Sequence, residues 1–237
     1  MRQRKYITSG GLAFSEEKDM EKLHRFSLKG WHVSDFKLMG YTLEKGECTD
    51  YIYSVDYRSV KKDEEEEYFD FFASAGWSHI TSQGDIHLFR AKPDTKPIYS
   101  DRDTSVEKYE NLINSMKRLA IPLALITALA WIGAMISSGI LKSSLQVIAN
   151  ICTVIVFPTA CTVIATYNNK WKAKEKKGLV NLLKTLTILF LITVIVLLYV
   201  DGSTVYSLAY MTIGAIAFPT AIWVIMSLYH KIGWKSA

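Results

Sequence analysis

The sequence predicts an α+β cytoplasmic domain followed by an all-α membrane domain of four transmembrane helices. Three observations support this fold class. Residues 1–118 carry 19 Lys or Arg and 21 Asp or Glu, whereas residues 119–237 carry only 9 and 2. The second segment contains four long apolar runs, and each half of the chain contains an internal repeat. We therefore predict a cytoplasmic domain at 1–100, a juxtamembrane linker helix at 101–118 and a membrane domain at 119–237.

The cytoplasmic domain reads as a β-α-β-β unit that occurs twice. FSLKGWHV at 26–33 corresponds to FASAGWSHI at 72–80. An amphipathic helix precedes each Gly-Trp pair, with Ser15 and Asp63 as the expected N-caps and with Gly30 and Gly76 closing the helices. The flanking alternation predicts the strands Lys5–Ser9, Trp31–Lys37, Tyr41–Lys45, Tyr51–Tyr57, Trp77–Ser82 and Asp85–Ala91. One mixed or antiparallel sheet with both helices on one face is the expected arrangement.

The linker segment predicts a helix that begins with a capping box. Thr104 and Glu107 have the spacing of that motif. Apolar residues then follow at helical intervals, at Val106, Tyr109, Ile113 and Met116. We expect this helix to continue into the first membrane span. Its apolar seam docks either on the cytoplasmic domain or on a second copy of the chain in a homodimer.

The four apolar runs are each close to the ~20 residues that cross a bilayer as a helix. They are Leu119–Leu141, Leu145–Tyr167, Leu179–Val200 and Thr204–Tyr229. Basic residues concentrate on one side of these runs, which predicts a multi-pass protein of the cell membrane with both termini cytoplasmic. The richest group is Lys170, Lys172, Lys174, Lys176 and Lys177. These lysines either only set the topology or also bind anionic membrane lipid or a protein partner.

The tetrapeptide FPTA occurs at 157–160 and again at 218–221. Similar residues surround both copies, which predicts that a helical hairpin has been duplicated. Pro158 and Pro219 each remove one backbone donor and are expected to kink their helices. The hydroxyls of Thr159 and Thr220 can bond a freed carbonyl. The kinks are either purely structural or line a small ligand pocket.

The soluble half resembles the bacterial domain-of-unknown-function family 2812 over about residues 5–115. The resemblance rests on the Gly-Trp pairs, on a Tyr-x-Val-Asp-Tyr strand at Tyr53–Tyr57 and on a closing Tyr-Ser-Asp at 99–101. It implies a cytoplasmic domain followed by membrane spans, encoded near genes for PadR-like transcriptional regulators. Such a regulator, or another membrane protein, is therefore an expected partner. The resemblance implies no activity.

Functional motifs are few. No nucleophile elbow, phosphate loop or metalloprotease motif occurs, so we expect no catalytic residue, cofactor or metal, and the charge pattern predicts no nucleic-acid partner. A turn at Gln83-Gly84 would place His79 and His87 on opposite faces of a hairpin, where they could not share a metal. An aromatic stripe is the candidate binding surface, with packing in the core as the alternative. It comprises Trp31, Tyr41, Tyr51, Tyr53, Tyr57 and Trp77.

These observations favour a membrane-anchored regulatory or sensory protein. Its cytoplasmic module would bind a partner or ligand without catalysing a reaction. The alternative is a small immunity-type or export-type membrane protein that acts through the duplicated transmembrane hairpins.

Overall fold

The computed structural model describes residues 3–37 and 40–197 of the chain. Two compact units follow each other along the sequence, and the boundary falls between Ser115 and Met116. We call the part up to Ser115 the N-terminal module. The described helices and strands are β1 (Arg4–Thr8), α1 (Leu12–Ser27), β2 (Trp31–Lys37), β3 (Gly40–Lys45), β4 (Ile52–Tyr57), α2 (Glu65–Ser74), β5 (Ser78–Gln83), β6 (Ile86–Ala91), α3 (Arg102–Ile136), α4 (Gly139–Ala173) and α5 (Lys177–Leu197).

The strands form two three-stranded antiparallel sheets, ordered β1-β3-β2 and β4-β6-β5. The α+β class is thus confirmed, but the prediction of one sheet is wrong. Each half closes its own sheet, because the strand before the helix pairs with the last strand of the hairpin that follows. The edge strands β2 and β5 are joined by a side-chain bond, in which Thr81 Oγ1 donates to Asp35 Oδ1 at 3.2 Å.

Both edge strands carry a bulge at equivalent positions. The register shifts between Val33 and Asp35 in β2, and between His79 and Thr81 in β5. A bulge inserts one residue on one strand only, which changes the face to which the following side chains point. This detail decides the geometry of the histidines described below.

The helix ends are only partly as predicted. Gly30 and Gly76 have the expected left-handed conformation, with φ of 73° and 86°. A Cβ at Gly30 would lie 2.6 Å from the carbonyl oxygen of Gly46, so this turn also requires a residue without a side chain. The predicted N-caps are wrong. Helix α1 begins at Leu12 and has non-helical angles at Ser15, while Glu64 rather than Asp63 precedes α2.

Two buried clusters form the core of the N-terminal module. The larger one combines α1 with strands of both sheets, and its members are Ile7, Leu12, Leu23, Val33, Phe36, Tyr41, Leu43, Tyr53, Val55, Tyr57 and Leu88. The smaller one lies under α2 and contains Tyr68, Phe72, Trp77, Phe89 and Ala91. Aromatic residues are four of the eleven members of the larger cluster and four of the five members of the smaller one, which explains the aromatic stripe in the sequence.

Two helices, α3 and α4, are long and apolar enough to cross a membrane, and each has 35 residues. Helix α4 lies in the second unit, whereas α3 begins in the N-terminal module. Only 17% and 6% of the residues in their most apolar stretches are buried, which weakly suggests that the helices associate with a membrane. Exposed apolar side chains include Leu119, Leu129, Ile136, Ile140 and Ile151. The turn between the helices comes earlier than predicted, and Lys142 lies within α4.

Helix α5 covers most of the third predicted run. The fourth run, Thr204–Tyr229, lies outside the described residues, as do Pro219 and Thr220. Four transmembrane helices therefore remain a prediction.

Candidate functional site

A buried carboxylate marks the centre of the candidate site. Asp56, near the end of β4, is only 3% exposed. It accepts three hydrogen bonds, from the backbone N–H of Tyr57 at 2.7 Å and from the hydroxyls of Tyr68 and Tyr99. Burial raises the pKa of both tyrosines, and the charge of Asp56 raises it further. The two tyrosines are therefore hydroxyl donors at every physiological pH.

A buried ion pair lies beside this carboxylate. The ammonium of Lys108, in α3, contacts Glu16 Oε1 of α1, and the two side chains are 7% and 13% exposed. Glu16 Oε2 also accepts from the hydroxyl of Tyr57 at 2.8 Å. The ammonium lies 5.3 Å and 4.8 Å from the ring centroids of Tyr57 and Tyr99. Lys108 thus fastens the first part of α3 to α1 through charge and through aromatic faces.

These two networks connect segments that are distant in the sequence. Asp56 and Tyr57 belong to the Tyr-x-Val-Asp-Tyr strand, and Tyr99 belongs to the closing Tyr-Ser-Asp. Both motifs carry the family resemblance, but their positions in the sequence do not indicate that their side chains meet. Glu16 and Lys108 were not predicted as site residues, since neither has a distinctive local pattern. Contacts at both ends help to hold this part of α3, where Arg58 lies 3.5 Å from Glu107 and the hydroxyl of Ser115 donates to Asp85.

A cavity of about 510 Å³ opens above Asp56. We call it the α2–α3 groove, because these two helices form its walls. Residues three or four positions apart line it on each helix, so each wall is one helical face. The wall on the α2 side consists of Glu64, Glu67, Tyr68, Phe71 and Phe72. The wall on the α3 side consists of Thr104, Glu107, Lys108 and Asn111. The other lining residues are Asp56, Arg58, Ser59, Val60, Ile98 and Tyr99. Its volume falls within the range of small-molecule sites, ~300–1,000 Å³.

A second cavity of about 310 Å³ shares three lining residues with the groove, namely Ile98, Tyr99 and Lys108. Tyr53 and Trp77 line this second cavity as well. The indole N–H of Trp77 donates to the carbonyl of Lys96 at 2.9 Å. Lys108 and Tyr99 therefore stand between two spaces, and any change in their position alters both.

The predicted aromatic surface is not an exposed patch in the structure. Tyr41, Tyr53, Tyr57 and Trp77 are buried in the two core clusters. Trp31 and Tyr51 are half-buried and are covered by cations. The ammonium of Lys45 lies 5.2 Å from the Trp31 ring, and the guanidinium of Arg90 lies 4.9 Å from the Tyr51 ring. Of the six residues, only Tyr53 and Trp77 line a cavity among those described here.

His79 and His87 lie on the same face of the β5–β6 hairpin, so the prediction of opposite faces is wrong. The hairpin turns at Gly84-Asp85, His87 pairs with Ser82, and the β5 bulge brings His79 to the same face. His79 Nε2 lies 2.8 Å from Ser82 Oγ, which lies 2.7 Å from His87 Nδ1. His87 Nε2 lies 2.9 Å from the carbonyl of Arg58. A carbonyl oxygen only accepts, so His87 donates to the carbonyl of Arg58 when both histidines are neutral. Ser82 then donates to the other ring nitrogen of His87, and His79 donates to Ser82.

This series of hydrogen bonds predicts that the β5–β6 hairpin is sensitive to acid. Burial lowers the pKa of His79, and the nearby His87 lowers it further, while Thr81 and Glu65 oppose the shift. The folded module therefore binds fewer protons than the unfolded chain just below pH ~6.5. The contribution of neutral His79 to the free energy of unfolding is complete above that pH and is lost as the pH drops towards 5. The loss is less than about 1 kcal/mol, because His79 is partly solvated.

Hydrogen exchange of the β5–β6 peptides at pH 7.5 and 5, corrected for intrinsic rates, measures this effect. His79→Phe preserves the stacking on Phe69, whose ring centroid lies 3.9 Å away, and should flatten the pH dependence. His32→Phe, in β2, is the matched control and should retain it. Equal pH dependence in wild type and His79→Phe would refute the assignment.

The predicted membrane sites lie in the second unit. Helix α4 continues through Pro158 from Gly139 to Ala173. The hydroxyl of Thr159 donates to the carbonyl of Ile155 at 2.8 Å. A backbone N–H at position 158 would bond the carbonyl of Val154, and proline lacks this donor. The hydroxyl of Thr159 therefore bonds the next carbonyl along the helix, not the one that Pro158 leaves free.

The lysine-rich segment is the end of one helix and the start of the next. Lys170 and Lys172 lie in the last turn of α4, Lys174 is its C-cap, and Lys177 begins α5. The intervening turn places Glu175 at φ 55°, and the N–H of Lys176 bonds the carbonyl of Trp171 at 2.9 Å. Lys117 extends over the ring of Tyr167, 5.5 Å from its centroid. Five cations of this turn and Lys117 thus flank the apolar stretches of α3 and α4.

Within residues 3–37 and 40–197, no group of three His, Cys, Asp or Glu side chains is placed to hold a metal. The three cysteines there, Cys48, Cys152 and Cys161, are free.

The comparisons agree with the resemblance noted in the sequence. Residues 15–121 match the family described as protein of unknown function (DUF2812). Searches among curated proteins and among solved structures returned no match. The matched segment contains Asp56, Tyr68, Tyr99 and Lys108, together with both walls of the α2–α3 groove. The resemblance noted in the sequence is thus confirmed for residues 15–121, which are similar to the DUF2812 family over slightly less than half of the chain.

Proposed function

We propose that this chain is a membrane-anchored regulatory protein. Its N-terminal module lies in the cytoplasm and binds a ligand or partner in the α2–α3 groove, without catalysis. One observation carries the proposal. Helix α3 lines the groove near its start and is unbroken from Arg102 to Ile136, so the same helix continues as a candidate membrane span.

The contacts of α3 explain how occupancy could be transmitted. Lys108 is buried against Glu16 and touches the same Tyr99 that bonds Asp56. An occupant that prefers one position of this helix shifts the population towards that position by the difference between its two binding free energies. In this proposal, the first part of α3 is the two-state element that regulation requires.

The rest of the chain is proposed as the anchor. We propose four spans with both termini cytoplasmic, where two hairpins are kinked at Pro158 and Pro219. The lysines of 170–177 then face the inner leaflet and attract anionic membrane lipid. The proposed protein partner is a transcriptional regulator encoded nearby or another membrane protein. A second copy of the chain, pairing through α3, is the remaining candidate.

The location of the module gives a direct prediction. Cys48 is exposed in the N-terminal module, whereas Cys152 and Cys161 are half-buried in α4. In a Cys152→Ser/Cys161→Ser variant, a membrane-impermeant maleimide should leave Cys48 unlabelled in intact cells and should label it after lysis. Mass spectrometry of the purified chain measures the label. Equal labelling before and after lysis would place the module outside the cell and end the proposal.

Complementation of a deletion strain tests the regulatory role. Removing residues 1–100 while keeping the spans should abolish the phenotype that the full-length gene restores. Pro158→Ala should have a smaller effect, because it leaves the groove intact. Full activity of the truncated chain would overturn the proposal and favour the immunity-type or export-type function, in which the membrane hairpins act alone.

A further inference from the structure

We infer that the α2–α3 groove binds a lipophilic organic cation, such as a planar aromatic ammonium compound. This inference rests on the proposed function, since it names the class of ligand that the same groove takes. The charge balance of the lining, one exposed aromatic ring and the size of the cavity support it.

The lining carries more negative than positive charge. Four carboxylates face the groove, against two cations. Both cations are already engaged, Lys108 with Glu16 and Arg58 with Glu107. Glu67 has no ion pair or hydrogen bond within the described part of the chain, and it is exposed on the α2 wall. An incoming cation would therefore find a carboxylate that no protein cation neutralises.

The aromatic part of the lining selects an apolar body for that cation. Phe71 is 70% exposed, whereas its neighbour Phe72 is 8% exposed. Phe71 follows Glu67 by four residues, so both side chains lie on the same face of α2. An aromatic face beside a carboxylate is the usual surroundings of a bound organic ammonium group, because the ring attracts the charge and buries the attached apolar atoms.

The alternatives fit this lining less well. A metal ion would require a cluster of three ligands, which the described residues lack. An organic anion would face four carboxylates with only the partly exposed Arg58 to bind it. A cavity of about 510 Å³ suits a single drug-sized molecule.

Fluorescence titration of the full-length chain in an uncharged detergent tests the inference. The probes are ethidium, an aromatic cation, and anilinonaphthalene sulfonate, an aromatic anion of similar size. Ethidium should bind, with an affinity that falls as salt is added. Glu67→Gln and Phe71→Ala should each weaken ethidium roughly threefold to tenfold. Glu67→Lys should weaken ethidium further and improve binding of the anion.

Matched variants separate the groove from the detergent micelle. Glu66→Gln removes a charge from the same helix outside the groove, and Phe14→Ala removes an exposed ring from α1. Both should bind ethidium as the wild type does. The inference is overturned if ethidium fails to bind, if the anion binds wild type as well as ethidium does, or if Glu67→Gln and Phe71→Ala weaken ethidium no more than Glu66→Gln and Phe14→Ala do. None of these results affects the complementation test, which needs no ligand and decides the regulatory role by itself.

Discussion

Replacing Lys108 with methionine should destabilise the N-terminal module by about 3 kcal/mol. The substitution keeps the apolar stem but leaves the carboxylate of Glu16 buried without its cation, since the two side chains are 7% and 13% exposed. Removing one partner of a buried pair is much more costly than removing both. Hydrogen exchange of the full-length chain in detergent, read on peptides from 102–115 and from α1, should show opening roughly a hundredfold more frequent.

The double variant Glu16→Gln/Lys108→Met provides the control. Glutamine can still accept the hydroxyl of Tyr57, and no uncompensated charge remains, so most of the lost stability should return. If Lys108→Met alone exchanges like wild type, the ion pair does not hold α3 to the module. The proposed route from the groove to the membrane helix would then lose its physical basis.

Replacing Asp56 with alanine should cost at least about 3 kcal/mol, because three donors lose their common acceptor. They are the N–H of Tyr57 and the hydroxyls of Tyr68 and Tyr99. A buried donor without a partner loses about 1–3 kcal/mol. Exchange of the β4 and β6 peptides in the full-length chain should therefore accelerate by two orders of magnitude or more.

Tyr99→Phe is the graded comparison for Asp56. It removes one donor and leaves two bonds to the carboxylate, so we expect a loss of about 1 kcal/mol. A loss from Tyr99→Phe as large as that from Asp56→Ala would show that the tyrosine, rather than the carboxylate, organises this network. An unchanged Asp56→Ala variant would show that the carboxylate is not needed for the fold.

Local patterns were enough to predict the helices and strands of the N-terminal module. Alternation and the two Gly-Trp pairs located all six strands within about two residues of their observed ends. The sheet topology was not predictable in the same way, because either one sheet or two satisfies the same alternation. Whether one sheet or two form depends on which strands β1 and β4 pair with, and those pairings are tertiary contacts.

The candidate site was harder to predict for a similar reason. Asp56 and Tyr99 are 43 residues apart, and Glu16 and Lys108 are 92 apart. Nothing in the spacing of these residues indicates that they meet. The prediction for the histidines was wrong for another reason. One bulged residue in β5 places the side chain of His79 on the opposite face from the one it would have in a regular strand. Local periodicity cannot reveal where such an insertion occurs.

The matching bulges of β2 and β5 also have a consequence for assembly. These strands form the open borders of their sheets and lie side by side, yet their irregular backbones do not continue into a common hydrogen-bonded ladder. The two halves are therefore held together along β2 and β5 by side chains, through the bond from Thr81 to Asp35 and through the larger core cluster, rather than by backbone pairing. Because β2 and β5 lie against each other, each also covers part of the other's unpaired edge, which makes these borders poor templates for strands of neighbouring molecules.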